Sequence, residues 1–141
     1  MASLIYNRLF YNLAKKLVDL STDDIKVALL TSAYTPNKDH NNYAAVSANE
    51  CPATGNYVTG GFSLTTKTVT QDDTLDQMTF DADDLVIAAA TITARYAFVY
   101  DNTLGGKDAC FLYDFVTDKI STAQEFRVAW AAAGMQKLYQ P

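Results

Sequence analysis

Between Ile92 and Tyr100 the chain alternates with a period of two. Ile92, Ala94, Tyr96, Phe98 and Tyr100 fall on one side, and Thr93, Arg95, Ala97 and Val99 on the other. A strand points successive side chains to opposite faces, whereas a helix repeats every 3.6 residues, so this stretch buries a face only as a strand. The same alternation recurs in Ile25-Val27-Leu29, Phe62-Leu64, Phe111-Tyr113-Phe115 and Phe126-Val128-Trp130. Tyr57 to Thr59, Thr66 to Thr70, Leu75 to Phe80, Leu85 to Ile87 and Met135 to Tyr139 add short β-branched or apolar runs. Turn residues separate them: Gly60-Gly61, Gln71-Asp72-Asp73, Asp81 to Asp84, and a hairpin loop from Asp101 to Gly106 whose glycines offer positive φ at low cost, while Gly134 marks a bulge. Short strands separated by regular turns predict an all-β fold, an antiparallel β-sandwich of jelly-roll-like type.

One segment keeps the other period. Leu4, Ile5, Leu9, Phe10, Leu13, Ala14, Leu17 and Val18 recur at helical spacing, with Asn7, Arg8, Asn12, Lys15 and Lys16 opposite them. The spacing predicts an amphipathic helix over residues 3–18, with Ser3 as N-cap and Asp19 to Asp24 as its stop. The domain reading is an N-terminal helical arm over 1–20 and a β-sandwich over 21–141. The stripe of Leu4, Ile5, Leu9, Phe10, Leu13 and Leu17 packs either on its own domain or on a neighbouring subunit, and both options bury the same residues. Residues 37–56 read as the main exposed excursion, with a helical turn from Tyr43 to Ala48. Tyrosine is rigid and amphipathic, so Tyr34 and Tyr43 in this region join the stripe as contact candidates.

Composition narrows the partners. Eleven basic residues face 16 acidic ones, a net charge of −5, which is the wrong balance for neutralising nucleic-acid phosphates. No apolar run is long enough to cross a bilayer. The N-terminus lacks the uninterrupted apolar stretch of a secretory signal, and no Asn-x-Ser/Thr sequon occurs. Cys51 and Cys110 stand alone, too few for a disulfide framework, and read as buried, reduced thiols made in a cytoplasm.

Chemistry is sparse. His40, the sole histidine, has no nucleophile near it in sequence, and no catalytic residue is assigned. Two cysteines and one histidine cannot supply a four-ligand zinc site. Asp81, Asp83 and Asp84, with Asp72, Asp73 and Asp76, form acidic turns that lack the glycine and closing glutamate of a calcium loop. No metal or cofactor is expected.

The ordered string carries more. Thr22-Asp23-Asp24-Ile25-Lys26-Val27-Ala28-Leu29-Leu30-Thr31, then Tyr34-Thr35-Pro36-Asn37 and Asp39, resembles the opening of a family of small structural virion proteins of tailed bacteriophages. Thr59-Gly60-Gly61, Leu64-Thr65, Lys67-Thr68-Val69, Phe80 to Asp84, Ala94 to Ala97 and Phe126 to Trp130 extend the likeness over most of the chain. The resemblance implies a capsid decoration (cement) protein, bound to the major capsid protein on the virion surface and self-associating, with a homotrimer as the natural geometry. A tail, neck or baseplate component and a carbohydrate-binding host-attachment module are the alternatives. An enzyme ranks last.

Overall fold

Alternation becomes strand wherever a partner is available, and two pairs of expected strands fuse. The computed structural model describes residues 1–139. Its elements are β1 (Ala2–Ile5), α1 (Asn7–Ala14), β2 (Ile25–Leu30), β3 (Phe62–Ser63), β4 (Thr68–Asp72), β5 (Gln77–Asp81), β6 (Leu85–Asp101), β7 (Asp108–Val128) and β8 (Gln136–Tyr139). The expected gap between Ile87 and Ile92 is absorbed in the 17 residues of β6, and that between Phe115 and Phe126 in the 21 residues of β7. Register shifts between Ile87 and Ala90, Ala90 and Ile92, and Ala94 and Tyr96 take up the mismatch. Bulges let a strand continue while re-aiming its side chains. Tyr57 to Thr59 is not strand: it is irregular backbone running into a turn closed by Gly61 N–H to the Val58 carbonyl at 2.9 Å.

The strands make an all-β, sandwich-like pair of antiparallel sheets. One is five-stranded in the order β1-β7-β6-β2-β3, the other three-stranded in the order β4-β5-β8. The core between them includes Val27, Leu29, Phe80, Val99, Phe111 and Phe126, each at most 1% exposed. A second cluster lies on the opposite face of the larger sheet, where Ala28, Leu30, Phe98, Tyr100 and Leu112 meet Tyr6, Tyr34 and Val46.

Residues 37–56 are mostly exposed, as expected, but the second cluster shows that the segment does not project freely. With Tyr34 just before it, the segment is a cover: Tyr34, Val46 and Cys51 are buried. Its backbone is bonded to the sheet margin by Cys51 N–H to the Leu29 carbonyl (2.9 Å), Tyr43 N–H to Lys107 (3.0 Å) and Ala109 N–H to Asn41 (2.9 Å). Two 3-10 turns, Tyr43–Ala45 and Ser47–Asn49, stand where one helical turn is expected. A loop can lie on an apolar face when its polar backbone groups find partners in this way.

The N-terminal reading also changes. Residues 2–5 are not helix; they pair with Phe111–Asp114 of β7 as an edge strand, and Tyr6 N–H extends the ladder to the Cys110 carbonyl at 3.1 Å. Pairing with β7 outweighs a helical spacing that the same residues also satisfy. Ser3 therefore caps nothing, and α1 begins at Asn7. It ends early because Lys16 adopts φ 57°. Leu17 N–H bonds the Asn12 carbonyl (2.9 Å) and Lys16 N–H the Leu13 carbonyl (3.2 Å), the paired bonds of a Schellman C-cap. With Tyr6 fully buried and Leu9 1% exposed, the first twenty residues are woven into the sandwich and do not form a separate helical arm.

Two glycine pairs behave differently. Gly61 has φ 74°, and a side chain there would run into the Val27 carbonyl, so the β2–β3 approach needs glycine. In the β6–β7 loop the expected positive φ falls on Lys107 (53°), not on Gly105 or Gly106.

Candidate functional site

Each sheet has an edge strand at one side of the sandwich, and the two edges leave a seam. β1 ends the five-stranded sheet and β8 ends the three-stranded one. Between them runs an open groove of about 800 Å³, lined by Leu4, Ile5, Phe10, Lys38, Leu138 and Tyr139 among others. An unpaired strand edge presents a row of backbone donors and acceptors, and here apolar side chains such as Leu4, Phe10 and Leu138 mix with Ser3, Asn7 and Gln136 around it. Lys38 and Lys137 give the groove a positive rim in an otherwise acidic chain.

The six stripe residues divide among three environments. Leu4 and Ile5, adjacent on a strand, point to opposite faces: Leu4 packs against the outer cluster and Ile5 against the inter-sheet core. Leu9 is buried and Leu13 half-buried against the same core. Phe10 (53% exposed) and Leu17 (45%) face outward, with Tyr11 (51%) beside them. Within the stripe, then, only Phe10 and Leu17 are exposed apolar groups, and Phe10 adjoins the seam. The helix itself is fixed in place, because Arg8 Nε and Asn12 Nδ2 each donate to Asp108 Oδ2 at 2.8 Å.

Tyr34 and Tyr43 are not free contact residues, which corrects their reading. Tyr34 is 3% exposed; its hydroxyl bonds the Tyr6 hydroxyl (2.9 Å) and His40 Nδ1 (2.8 Å), and its ring meets Tyr96 edge-on at 5.7 Å. Tyr43 stacks on Tyr100 at 5.1 Å and donates to Glu50. Both hold the cover on the sheet, and burial raises both phenol pKa values. His40 is thereby a hydrogen-bond partner at the margin of the cover.

Glu50 is the residue that sequence reasoning missed. Its Oε1 accepts from the Tyr57 hydroxyl and from Gly60 N–H, both at 2.7 Å, while Oε2 accepts from Tyr43. Tyr57 OH in turn accepts from Leu29 N–H (2.9 Å), and Tyr100 OH donates to the Gly60 carbonyl (2.7 Å). The carboxylate thus clamps cover, turn and β2 together. A weak signal existed, since Glu50 is one of two glutamates beside fourteen aspartates, but its partners are distant in sequence.

The acidic turns are engaged in local hydrogen bonds. Asp83 accepts from the hydroxyls of Thr65 (3.1 Å) and Thr66 (2.6 Å), and Asp84 accepts from Trp130 N–H (3.0 Å) and Arg127 (3.4 Å). Asp72 caps its own turn through Thr74 and Leu75 N–H. Among the described residues no three His, Cys, Asp or Glu side chains gather as a metal-holding group. Cys51 and Cys110 are buried free thiols, and burial raises both, Cys51 to about 12. No helix among the described residues is long and apolar enough to cross a membrane.

No known protein family, curated protein or solved structure is significantly similar to this chain.

Proposed function

We propose that this chain is a structural virion protein of a tailed phage, a capsid decoration (cement) protein that attaches to the major capsid protein and associates with copies of itself as a homotrimer. The sequence string from Thr22 to Asp39 supports the lineage. The observation that carries an adhesive role is the seam between β1 and β8, where an open groove of mixed lining, two strand edges unpaired among the described residues and the outward Phe10 adjoin one another. A cement protein stabilises a lattice by binding the assembled state, and many weak copies on a repeating surface gain avidity. This reading assigns no catalytic step and no cofactor, and it places the protein on the capsid surface after synthesis in the host cytoplasm.

The test is occupancy on purified particles. Deleting residues 2–18 would remove β1 and core residues Tyr6 and Leu9, so it would test folding instead. The double substitution Phe10→Glu with Leu17→Glu alters only exposed positions of the stripe. It is expected to leave the melting temperature within about 3 °C of wild type and to reduce copies per particle at least tenfold. Wild-type abundance comparable to the capsid protein supports the capsid position, whereas a few copies confined to the tail fraction supports a tail, neck or baseplate part. Unchanged occupancy of the folded variant rules out this surface as the attachment face.

A further inference from the structure

Asp101 closes β6 at the tip of the long strand pair and is fully buried, facing Asp108 across the ladder. One carboxyl oxygen, Oδ1, accepts from Thr103 N–H at 2.9 Å. The other, Oδ2, is buried with no hydrogen-bond partner. The β2–β6 ladder pairs Ile25 with Asp101, and Asn102 N–H bonds the Asp24 carbonyl at 2.9 Å, so the α1–β2 turn that carries Asp23, another acceptor, lies against this end of β6. Asp23 already uses its Oδ2 to accept from Asp19 N–H at 2.7 Å. An ionised Asp101, fully buried with one oxygen unpartnered and an acidic turn beside it, would be an uncompensated buried charge, one of the costliest arrangements in a protein interior.

The surrounding groups do not resolve it. Asp24 on the same turn is bonded to Ser63 and to Asn102, and the charges of Lys26 and Lys67 act on it, not on Asp101. On β7 stand Asp108 and the Cys110 thiol, both near Asp101, and Arg8 from α1 is spent on Asp108 at 2.8 Å. Among the described residues no cation pairs with Asp101, and no metal-holding group forms there. A proton is the one counter-charge the geometry leaves.

We propose that Asp101 is protonated in the folded protein and donates from Oδ2 to the Asp23 carboxylate, forming a carboxyl–carboxylate latch between the α1–β2 turn and the β6–β7 tip. Flanking bonds span the same joint: Asn102 N–H to the Asp24 carbonyl (2.9 Å) and Asp24 N–H to Thr103 Oγ1 (2.7 Å). Burial foremost, then the Asp23 carboxylate, pushes Asp101 up to about 7. An unfolded aspartate titrates near ~3.9. The latch's contribution is therefore complete below that value, declines as pH rises, and is lost as pH passes through about 7. This inference does not rest on the virion reading; it concerns the isolated chain.

Two measurements on purified protein decide it. In wild type, carboxyl-carbon NMR from pH 3 to 9 is expected to show Asp101 titrating with a midpoint near 7. Wild-type melting temperature is expected to fall by about 3 °C or more between pH ~5 and ~8. In Asp101→Asn the amide donates to Asp23 at every pH, so that decline should vanish. An Asp101 midpoint below about 5, or a variant that keeps the wild-type slope, overturns the latch. If the variant does not fold, the wild-type titration decides alone. A calcium-dependent rise in wild-type melting temperature at pH ~8 would also overturn it, by assigning the bare oxygen to a metal ion.

Discussion

At its tip, from Tyr96 to Asp101 and from Asp108 to Tyr113, the β6–β7 pair is buried on both faces; at its far end, from Leu85 to Ala94 and from Lys119 to Val128, it is buried on one. The tip is aromatic. Phe98, Tyr100 and Phe111 are each at most 1% exposed, between the inter-sheet core on one side and the cover on the other. At the far end Leu85, Ile87, Phe126 and Val128 still face the core, whereas Val86 (44% exposed) and Ile120 (68%) look outward. Neighbouring strands follow the same division. β2 pairs with Tyr96–Asp101 and β1 with Phe111–Asp114, so beyond Asp114 no strand pairs with the outer edge of β7 among the described residues. That open length carries Asp118, Lys119, Glu125 and Arg127 and the positive-φ residues Val116 and Ala123. Charges and bulges are how natural sheets discourage unwanted edge pairing. The seam edge of β1, by contrast, has no charged residue within Ala2–Ile5. One edge is guarded and the other is left fit for contact.

The sharpest way to break this comparison is to truncate one large side chain in each half. Phe111 stacks on Phe80 at 5.9 Å and is fully buried. Phe111→Ala is expected to cost about 3–5 kcal/mol in denaturant unfolding, the range for removing a buried aromatic. Ile120→Ala in the far half should change stability by no more than about 0.5 kcal/mol. Equal losses from the two would show that the far half is covered in solution, by self-association or otherwise.

How much of this was legible in sequence follows the same line. Strands with a clean alternation, such as Ile25 to Leu29, were readable because period two has one physical meaning. The fusions in β6 and β7 were not, because a bulge interrupts alternation in the same way as a turn does. Leu4 and Ile5 satisfied helix and strand spacing equally, and only the distant β7 decides between them. Tyr34 and Val46 looked like loop residues because the apolar face that buries them comes from elsewhere in the chain. Asp101 stood in an Asp-Asn-Thr turn signature, and nothing local announces that Asp23 lies opposite. The seam was half legible: Phe10 stood among the contact candidates, but β8 as the facing edge required the topology.

Glu50 sharpens the comparison from the cover's side, since it is what fastens the second layer over the tip. Glu50→Ala would leave the Tyr57 hydroxyl and Gly60 N–H without their acceptor. The expected loss is about 1–3 kcal/mol, the usual cost of stranding partly buried donors. Hydrogen exchange should quicken at the amides that join cover to sheet, Cys51 and Ala109, while those of β4 and β5 keep their protection relative to global unfolding. A variant that loses stability with uniform acceleration would mean that cover and sheet unfold as one unit.

The smallest effect tests whether the guarded edge carries strain. Val116 is β-branched and sits at φ 71°, where its side chain crowds the backbone, yet it is 59% exposed and packs little. Its N–H bonds Asp114 Oδ1 at 2.7 Å, and Asp114 also accepts from Arg95 Nε at 2.7 Å, so the bulge is pinned by bonds that do not use the valine side chain. Glycine adopts this conformation without steric cost but loses more chain entropy on folding, which offsets part of the gain. Val116→Gly is therefore expected to stabilise the protein by about 0.5–1 kcal/mol, read as an upward shift in the denaturation midpoint at unchanged slope. A loss of similar size would show that the valine is held by contacts on the open edge of β7, and the contrast between the two ends of the strand pair would then fail at its middle.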